Sequence, residues 1–286
     1  GLTKLSLIHW VKKECPDAYQ EINKNSLDYF IDQTMSTTNS KYKAPDNDVA
    51  KVVFQKFRNE YVCTSMKNGI WFRYQGNRWR EDDQAVTLRQ AISGPIRNIY
   101  NSRLIELMNT HSSSNRSLNQ IGQRDEDTEQ EHDINKIKNI QALHIHTRLG
   151  QTAEKAKIIT ECKEFFYDNT FANKLDENKY LLCFKNGVID FSVEDKLTFR
   201  EGQPEDYITL CTGINYIELT DKHQPIVQEI KTFMSELFPD KEVCQYMWEH
   251  LASTLIGSSP DQTFNMYYGA GQNGKSVLTS LMKKVL

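Results

Sequence analysis

What this sequence has little of narrows its class first. No run of apolar residues approaches the ~18 that a membrane-spanning helix needs, and no leader-like pattern opens the chain. A membrane is therefore not an expected partner. The six cysteines (Cys15, Cys63, Cys162, Cys183, Cys211 and Cys244) include no C-x-x-C pair. That excludes a zinc site of the usual spacing and the disulfide framework of a small secreted domain. Reduced, mostly buried thiols in an intracellular compartment are expected instead. The formal net charge is only −3 over 286 residues, so the chain is not a uniformly basic nucleic-acid binder. No internal repeat is apparent, which removes solenoids and propellers.

What is there is a globular composition, 38% hydrophobic and 26% charged, on a chain long enough for two domains. Charge is unevenly spread. Residues 1–105 hold 16 Lys/Arg against 11 Asp/Glu, and residues 106–133 hold 2 against 7. The basic bias therefore lies in the N-terminal third.

The most informative stretch is the last one, FNMYY-GAGQNGKS-VLTSLMKKVL. Gly269, Gly274, Lys275 and Ser276 fill the pattern G-x-x-x-x-G-K-[ST], and the flanks suit it. Phe264–Tyr268 is short, aromatic and β-prone, so a buried strand is expected there. Val277, Leu278, Leu281, Met282, Val285 and Leu286 recur as one apolar helix face. Strand, glycine-rich turn and helix together make a phosphate cradle. Backbone N–H groups turn toward the anion, and the helix N-terminus adds partial positive charge. The candidate nucleotide-binding residues are Gly269, Ala270, Gly271, Gln272, Asn273, Gly274, Lys275, Ser276 and Val277. Lys275 is the catalytic candidate, reaching the β/γ-phosphates of ATP. Ser276 is the candidate ligand of Mg²⁺.

The rest of the chain reads mainly as helix with short hairpins. Residues 2–35 are helical with a stop at Pro16, and 36–48 are polar and turn-rich. Residues 49–62 form an amphipathic helix. Asn68-Gly69 marks a two-residue hairpin between Val62–Met66 and Ile70–Tyr74, with a further turn at Gln75-Gly76-Asn77 before Arg78-Trp79-Arg80. This sheet sets Lys67, Arg73, Arg78 and Arg80 among Trp71, Phe72, Tyr74 and Trp79. Charge for a backbone and rings for bases are what a single-strand DNA binder uses. Strand aromatics more often build a core, with the arginines solvated, and both readings stay open.

Residues 84–108 are helical with a break at Gly94-Pro95. Residues 109–133 are almost wholly polar and are expected to form a mobile loop. Helices over 134–149 and 152–167 follow. A hairpin comes next, Tyr180–Phe184 and Val188–Phe191, with Asn186-Gly187 as a type I′ turn. A short strand is expected at Tyr207–Leu210, then helices at 224–237 and 241–256. The lone His9, the His132 cluster with Asp127 and Glu131, and His144-x-His146 are not expected to hold metal.

Taken in order, F-K-N-G-V-I-D-F, P-E-D-Y-I, two helices ending L-A-S-T-L-I-G, and G-A-G-Q-N-G-K-S resemble the superfamily 3 helicase module. The resemblance is to viral, phage and plasmid primase–helicases, in the poxvirus and large-DNA-virus form. It covers about residues 50–286 and is strongest over 180–286. It implies an α/β protein with a mainly helical, hairpin-bearing collar followed by the start of a P-loop, AAA-like ATPase core. The implied domains are a helical connector at 1–48, an oligomerisation collar at 49–221 and the leading part of the ATPase at 222–286. It further implies an ATP- and Mg²⁺-dependent DNA helicase, a homo-hexameric ring on single-stranded DNA, and a primase module in the same parent chain. The implied setting is intracellular, where viral or mobile-element DNA replicates. The family's later acidic motif, sensor Asn and arginine finger have no counterpart before Leu286, so a portion of a longer protein is expected. The alternative from another class is a non-catalytic assembly or DNA-docking module whose loop does not turn nucleotide over. A small-molecule P-loop kinase fits the motif but not its place at the far end of the chain.

Overall fold

The computed structural model describes residues 10, 13–36, 44–118, 126–193, 196–257, 264–269, 271 and 274–285. It falls into two compact units. The first comprises residues 1–73 and 81–172, the second residues 74–80 and 173–286. Among the described residues no helix is long and apolar enough to cross a membrane.

The first unit is built on helices α1 (Pro16–Ser36) and α2 (Asp46–Phe57). In α2, Asp46 and Asp48 occupy the first turn, where the helix dipole favours negative charge. Val49, Ala50, Val52, Val53 and Phe57 face inward. The helix stops at Phe57, short of the expected 62, because Tyr61 and Cys63 take up the period-two burial of a strand. That strand, β1 (Tyr61–Ser65), pairs antiparallel with β2 (Ile70–Gln75), and β3 (Arg78–Glu81) completes the sheet order β1-β2-β3, of which residues 74–80 are counted with the second unit. Residues 66–69 make a four-residue turn with only Gly69 left-handed, in place of the expected two-residue turn. Both Gly76 and Asn77 have positive φ, as a type I′ turn requires.

Helix α3 (Val86–Ala91) runs into a π-turn at Ile92–Ile96 and then into α4 (Arg97–Leu118). The turn absorbs Pro95, which lacks the N–H that an uninterrupted α-helix would use. Helix α5 (Glu126–Arg148) packs along α4, and α6 (Thr152–Phe165) packs along α2. The expected loop over 109–133 is therefore helical through Leu118 and again from Glu126. Residues 119–125 lie outside the described residues. Once Tyr100, Leu104, Ala142 and Ile145 fix the two helices, each further polar residue costs little to add, because propagation is far easier than nucleation.

Trp71, Tyr61, Tyr100, Ile92, Ile96, Ile145, Leu149 and Ile158 are fully or almost fully buried in one continuous core. A buried cation braces its edge. Arg148 donates from Nη1 to the Ala44 carbonyl (2.7 Å) and from Nε to Glu154 (2.9 Å), and also pairs with Asp46.

The second unit contains an antiparallel sheet of β4 (Leu181–Phe184), β5 (Gly187–Val193) and β6 (Lys196–Arg200). Phe184 pairs with Gly187, so the tight turn is Lys185-Asn186, with no left-handed residue. The expected type I′ turn at Asn186-Gly187 is thus displaced by one residue. Gly187 is required for a different reason. A Cβ there would lie 2.6 Å from the Phe199 ring and 2.6 Å from the Arg200 carbonyl. Strand β6 carries no turn signal of the kind used to find the others. Tyr207–Leu210, expected as a strand, is irregular because Tyr207 is left-handed (φ 52°). Its backbone still pairs: the Ile208 carbonyl accepts from the Trp79 N–H at 2.7 Å.

Helices α7 (Gln224–Leu237), α8 (Lys241–Ser253) and α9 (Lys275–Val285) follow. They share a small core of Met234, Met247, Leu251 and Leu278. Asp240 caps α8 by accepting from the Glu242 and Val243 N–H groups.

Candidate phosphate-binding loop and basic hairpin

The helix expected after the loop is present. Gly274 has φ 79°, a left-handed conformation that a side chain would strain. Its carbonyl accepts the Leu278 N–H at 3.0 Å, the first bond of α9. Lys275 and Ser276 are then the first two helical residues. The N–H groups of the first turn have no acceptor inside a helix and point out of its end. Lys275 is half-buried and Ser276 exposed. An amine, a hydroxyl and backbone donors around one helix start suit a polyphosphate with its cation. Gly271 is also left-handed (φ 96°). Ala270, Gln272 and Asn273 lie outside the described residues. Gly269 is described as irregular backbone, and Val277 is exposed, not part of the buried face. Of the expected apolar face, Leu278 is buried and Met282 packs against the cluster, while Leu281 stays partly open. Leu286 lies outside the described residues.

The strand expected before the loop is not formed. Residues 264–269 carry no ladder, and Phe264 and Tyr268 are 88% and 94% exposed. A strand exists only where neighbours take its backbone groups, and none of the described strands does so. The segment is held by side chains instead. Tyr267 Oη meets His250 Nε2 at 2.8 Å, and His250 stacks on Tyr246. Burial raises the Tyr267 hydroxyl pKa, with Tyr246 adding to the effect. Leu251, Thr254, Tyr267, Leu278, Thr279 and Met282 line a small apolar cleft of about 140 Å³ between α8 and α9. Sequence reasoning missed this cleft and the Tyr246–His250–Tyr267 contact. The i, i+4 spacing of Tyr246 and His250 was the available signal.

The basic hairpin resolves into two kinds of residue. Trp71 and Trp79 are buried, and Phe72 and Tyr74 pack on Phe171 and Trp79. Trp71 and Trp79 are thus buried, while Phe72 and Tyr74 are half-buried against other rings of the protein. Arg73 lies over the Tyr61 ring at 5.5 Å, and Arg78 donates to the Thr209 carbonyl at 3.2 Å. Lys67 and Arg80 are exposed. Among the described residues no cluster of His, Cys, Asp or Glu could hold a metal ion.

A sequence model described as D5 N terminal like matches residues 50–239, two thirds of the chain. The chain belongs to the D5 N-terminal-like family. The match starts inside α2 and ends before α8, so the phosphate-loop candidate lies beyond it. The chain is also 34% identical, over 287 aligned residues, to a protein of Acanthamoeba polyphaga mimivirus provisionally named helicase L207/L206. That alignment covers 99% of this chain and 27% of the mimivirus protein. A provisionally named helicase of invertebrate iridescent virus 3 is 36% identical over 140 residues, covering 49% of this chain and 14% of that protein. A provisionally named primase of African swine fever virus is 22% identical over 311 residues, 100% of this chain and 29% of that protein. The D5 N-terminal-like chain thus spans less than a third of the length of these relatives.

Proposed function

We propose that this chain is the collar and leading ATPase portion of an ATP-dependent DNA helicase of the superfamily 3 type. It would act in viral or mobile-element DNA replication inside the host cell, as a homo-hexameric ring on single-stranded DNA, with a primase module in the same parent protein. The observation that carries the reading is Gly274, left-handed and capping a helix that opens with Lys275 and Ser276. The relatives named helicase and primase support the setting. ATP, when bound with Mg²⁺, supplies a γ-phosphoryl group for transfer to water. The Lys275 ammonium would neutralise charge at the β/γ-phosphates, and the Ser276 hydroxyl would meet Mg²⁺. The N–H groups at the start of α9 would orient the phosphate chain. Lys275→Ala in the full-length protein is expected to lower ATP turnover by roughly a hundredfold or more. Ring assembly, read by sedimentation, should persist. Unchanged phosphate release would remove the assignment.

A DNA contact in the hairpin is proposed for Lys67 and Arg80, the two exposed cations, and not for Arg73 and Arg78, which engage protein groups. Replacing both exposed cations with Ala should weaken single-strand binding and reduce the slope of log K against log salt by about 1 to 2. An identical slope would return them to ordinary surface residues.

A further inference from the structure

Two thiols of the second unit meet where the sheet receives the irregular segment after Tyr207. Cys183 lies on β4, is 2% exposed and belongs to a small cluster with Val188 and Ile208. Cys211 packs against the same cluster and is only half-buried. The backbone is aligned beside them, since the Thr212 N–H donates to the Cys183 carbonyl at 3.0 Å and the Lys185 N–H to the Ile214 carbonyl at 2.9 Å. The Thr212–Cys183 main-chain bond sets the two cysteines on neighbouring backbones, with both side chains in the same apolar cluster. One thiol is sheltered and its neighbour open to solvent, with the two main chains already fastened on either side. That is the arrangement of an accessible thiol beside a resolving thiol.

We propose that Cys183 and Cys211 are an oxidative modification site, a reversible disulfide formed with a peroxide that ties the 207–216 segment to β4. The Cys211 thiolate attacks the peroxide, the O–O bond breaks, and the sulfur becomes a sulfenic acid while hydroxide leaves. The Cys183 sulfur then attacks the sulfenic sulfur. The S–S bond forms, the S–O bond breaks, and the departing hydroxide takes up from solvent the proton that Cys183 gave up on ionising, leaving as water. Two electrons pass from the pair of sulfurs to the peroxide, and a dithiol restores both thiols.

Burial, with Cys211 adding to it and Arg78 opposing it, pushes the Cys183 thiol up to about 12. Little thiolate is present there near neutrality, so closure is the slow step. Its rate should rise about tenfold per pH unit as thiolate accumulates.

The test uses the full-length protein, reduced, exposed to hydrogen peroxide, and digested with trypsin without reductant. Cys183 and Cys211 fall in separate peptides, 180–185 and 201–222. The expected product is these two joined, two hydrogens lighter than their sum and separated again by dithiothreitol. Exchange of the Thr212 amide should slow about tenfold in the oxidised protein, as opening of that segment is restricted. Cys211→Ser, a change at the half-exposed thiol, should abolish the joined peptide and leave Cys183 a thiol. Accumulation of Cys211 sulfinic acid without joining, or Cys211 joined to another cysteine, would overturn the proposal.

Discussion

The first unit and the three C-terminal helices of the second solve the same problem with very different means. In the first, Trp71, Tyr61, Tyr100, Ile92, Ile96 and Leu149 lie in one continuous core, supported by the enclosed cation Arg148. In the second, the buried residues shared by α7, α8 and α9 among the described ones are Met234, Met247, Leu251 and Leu278, with partly buried neighbours such as Phe233, Leu237 and Met282 packed on them. Phe264, Met266 and Tyr268 are left almost bare beside them. Fully burying one large apolar side chain is worth about 1.5–3 kcal/mol, so four such residues support three helices weakly. The difference teaches that a motif can be complete in sequence while its support is thin. The phosphate-loop candidate sits on the thinly supported side, and the family match falls mostly on the other.

That contrast can be broken at its strong end first. Trp71→Ala removes a ring that is 0% exposed and packed on Phe166. It should destabilise the first unit by about 3–5 kcal/mol, read as a lowered urea midpoint. A loss below ~1 kcal/mol would mean the core is less continuous than its burial indicates. Leu278→Ala tests the weak end. It should cost about 2 kcal/mol, at the low end for such changes because few neighbours surround it. Amide exchange should quicken along α9 and stay unchanged in the first unit. Equal quickening in both would show one cooperative structure and erase the comparison.

The smallest effect concerns pH in the β4–β6 sheet. Burial alone would raise the Asp190 pKa, but hydrogen bonds from Ser192 and the charge of Arg200 outweigh it and hold the carboxyl below its ordinary value. A depressed carboxylate contributes stability above the unfolded value of about 3.9 and loses it as pH falls through the folded value. Acidification from pH 5 to 3 should therefore cost the sheet roughly a few tenths to 1 kcal/mol through this group, given its long 3.5 Å contact with Arg200. Asp190→Asn should flatten that part of the profile. An unchanged profile would assign the acid sensitivity to other carboxylates.

Much of the fold was legible. The helix over 49–57, the strands around Trp71 and Trp79, the β4–β5 hairpin and the helices from 224 onward follow from periodicity and turn residues. Less legible were features set by distant partners. Gly187 reads as a turn glycine, yet it is required by the Phe199 ring across the sheet. Residues 109–118 and 126–133 read as loop because polarity says nothing about a helix already nucleated on either side. In the candidate site, the glycine–lysine–serine order was enough to place a helix start. The state of Phe264–Tyr268 was not, since strand formation depends on what lies beside it.

The sequence by itself determined the helix that begins at Lys275, because Gly274 alone there accepts the left-handed turn without strain and the residues after it keep a helical period. It also determined the spacing of the six cysteines and the limits set by charge and by the absence of long apolar runs. Tertiary structure decided which aromatics of the basic hairpin are core and which cations remain open. It also brought Cys183 and Cys211 together across 27 intervening residues. The physical reason is the same in each case. Local preference fixes backbone direction within a turn or two, whereas burial, pairing and thiol contact depend on residues that only the folded chain brings near.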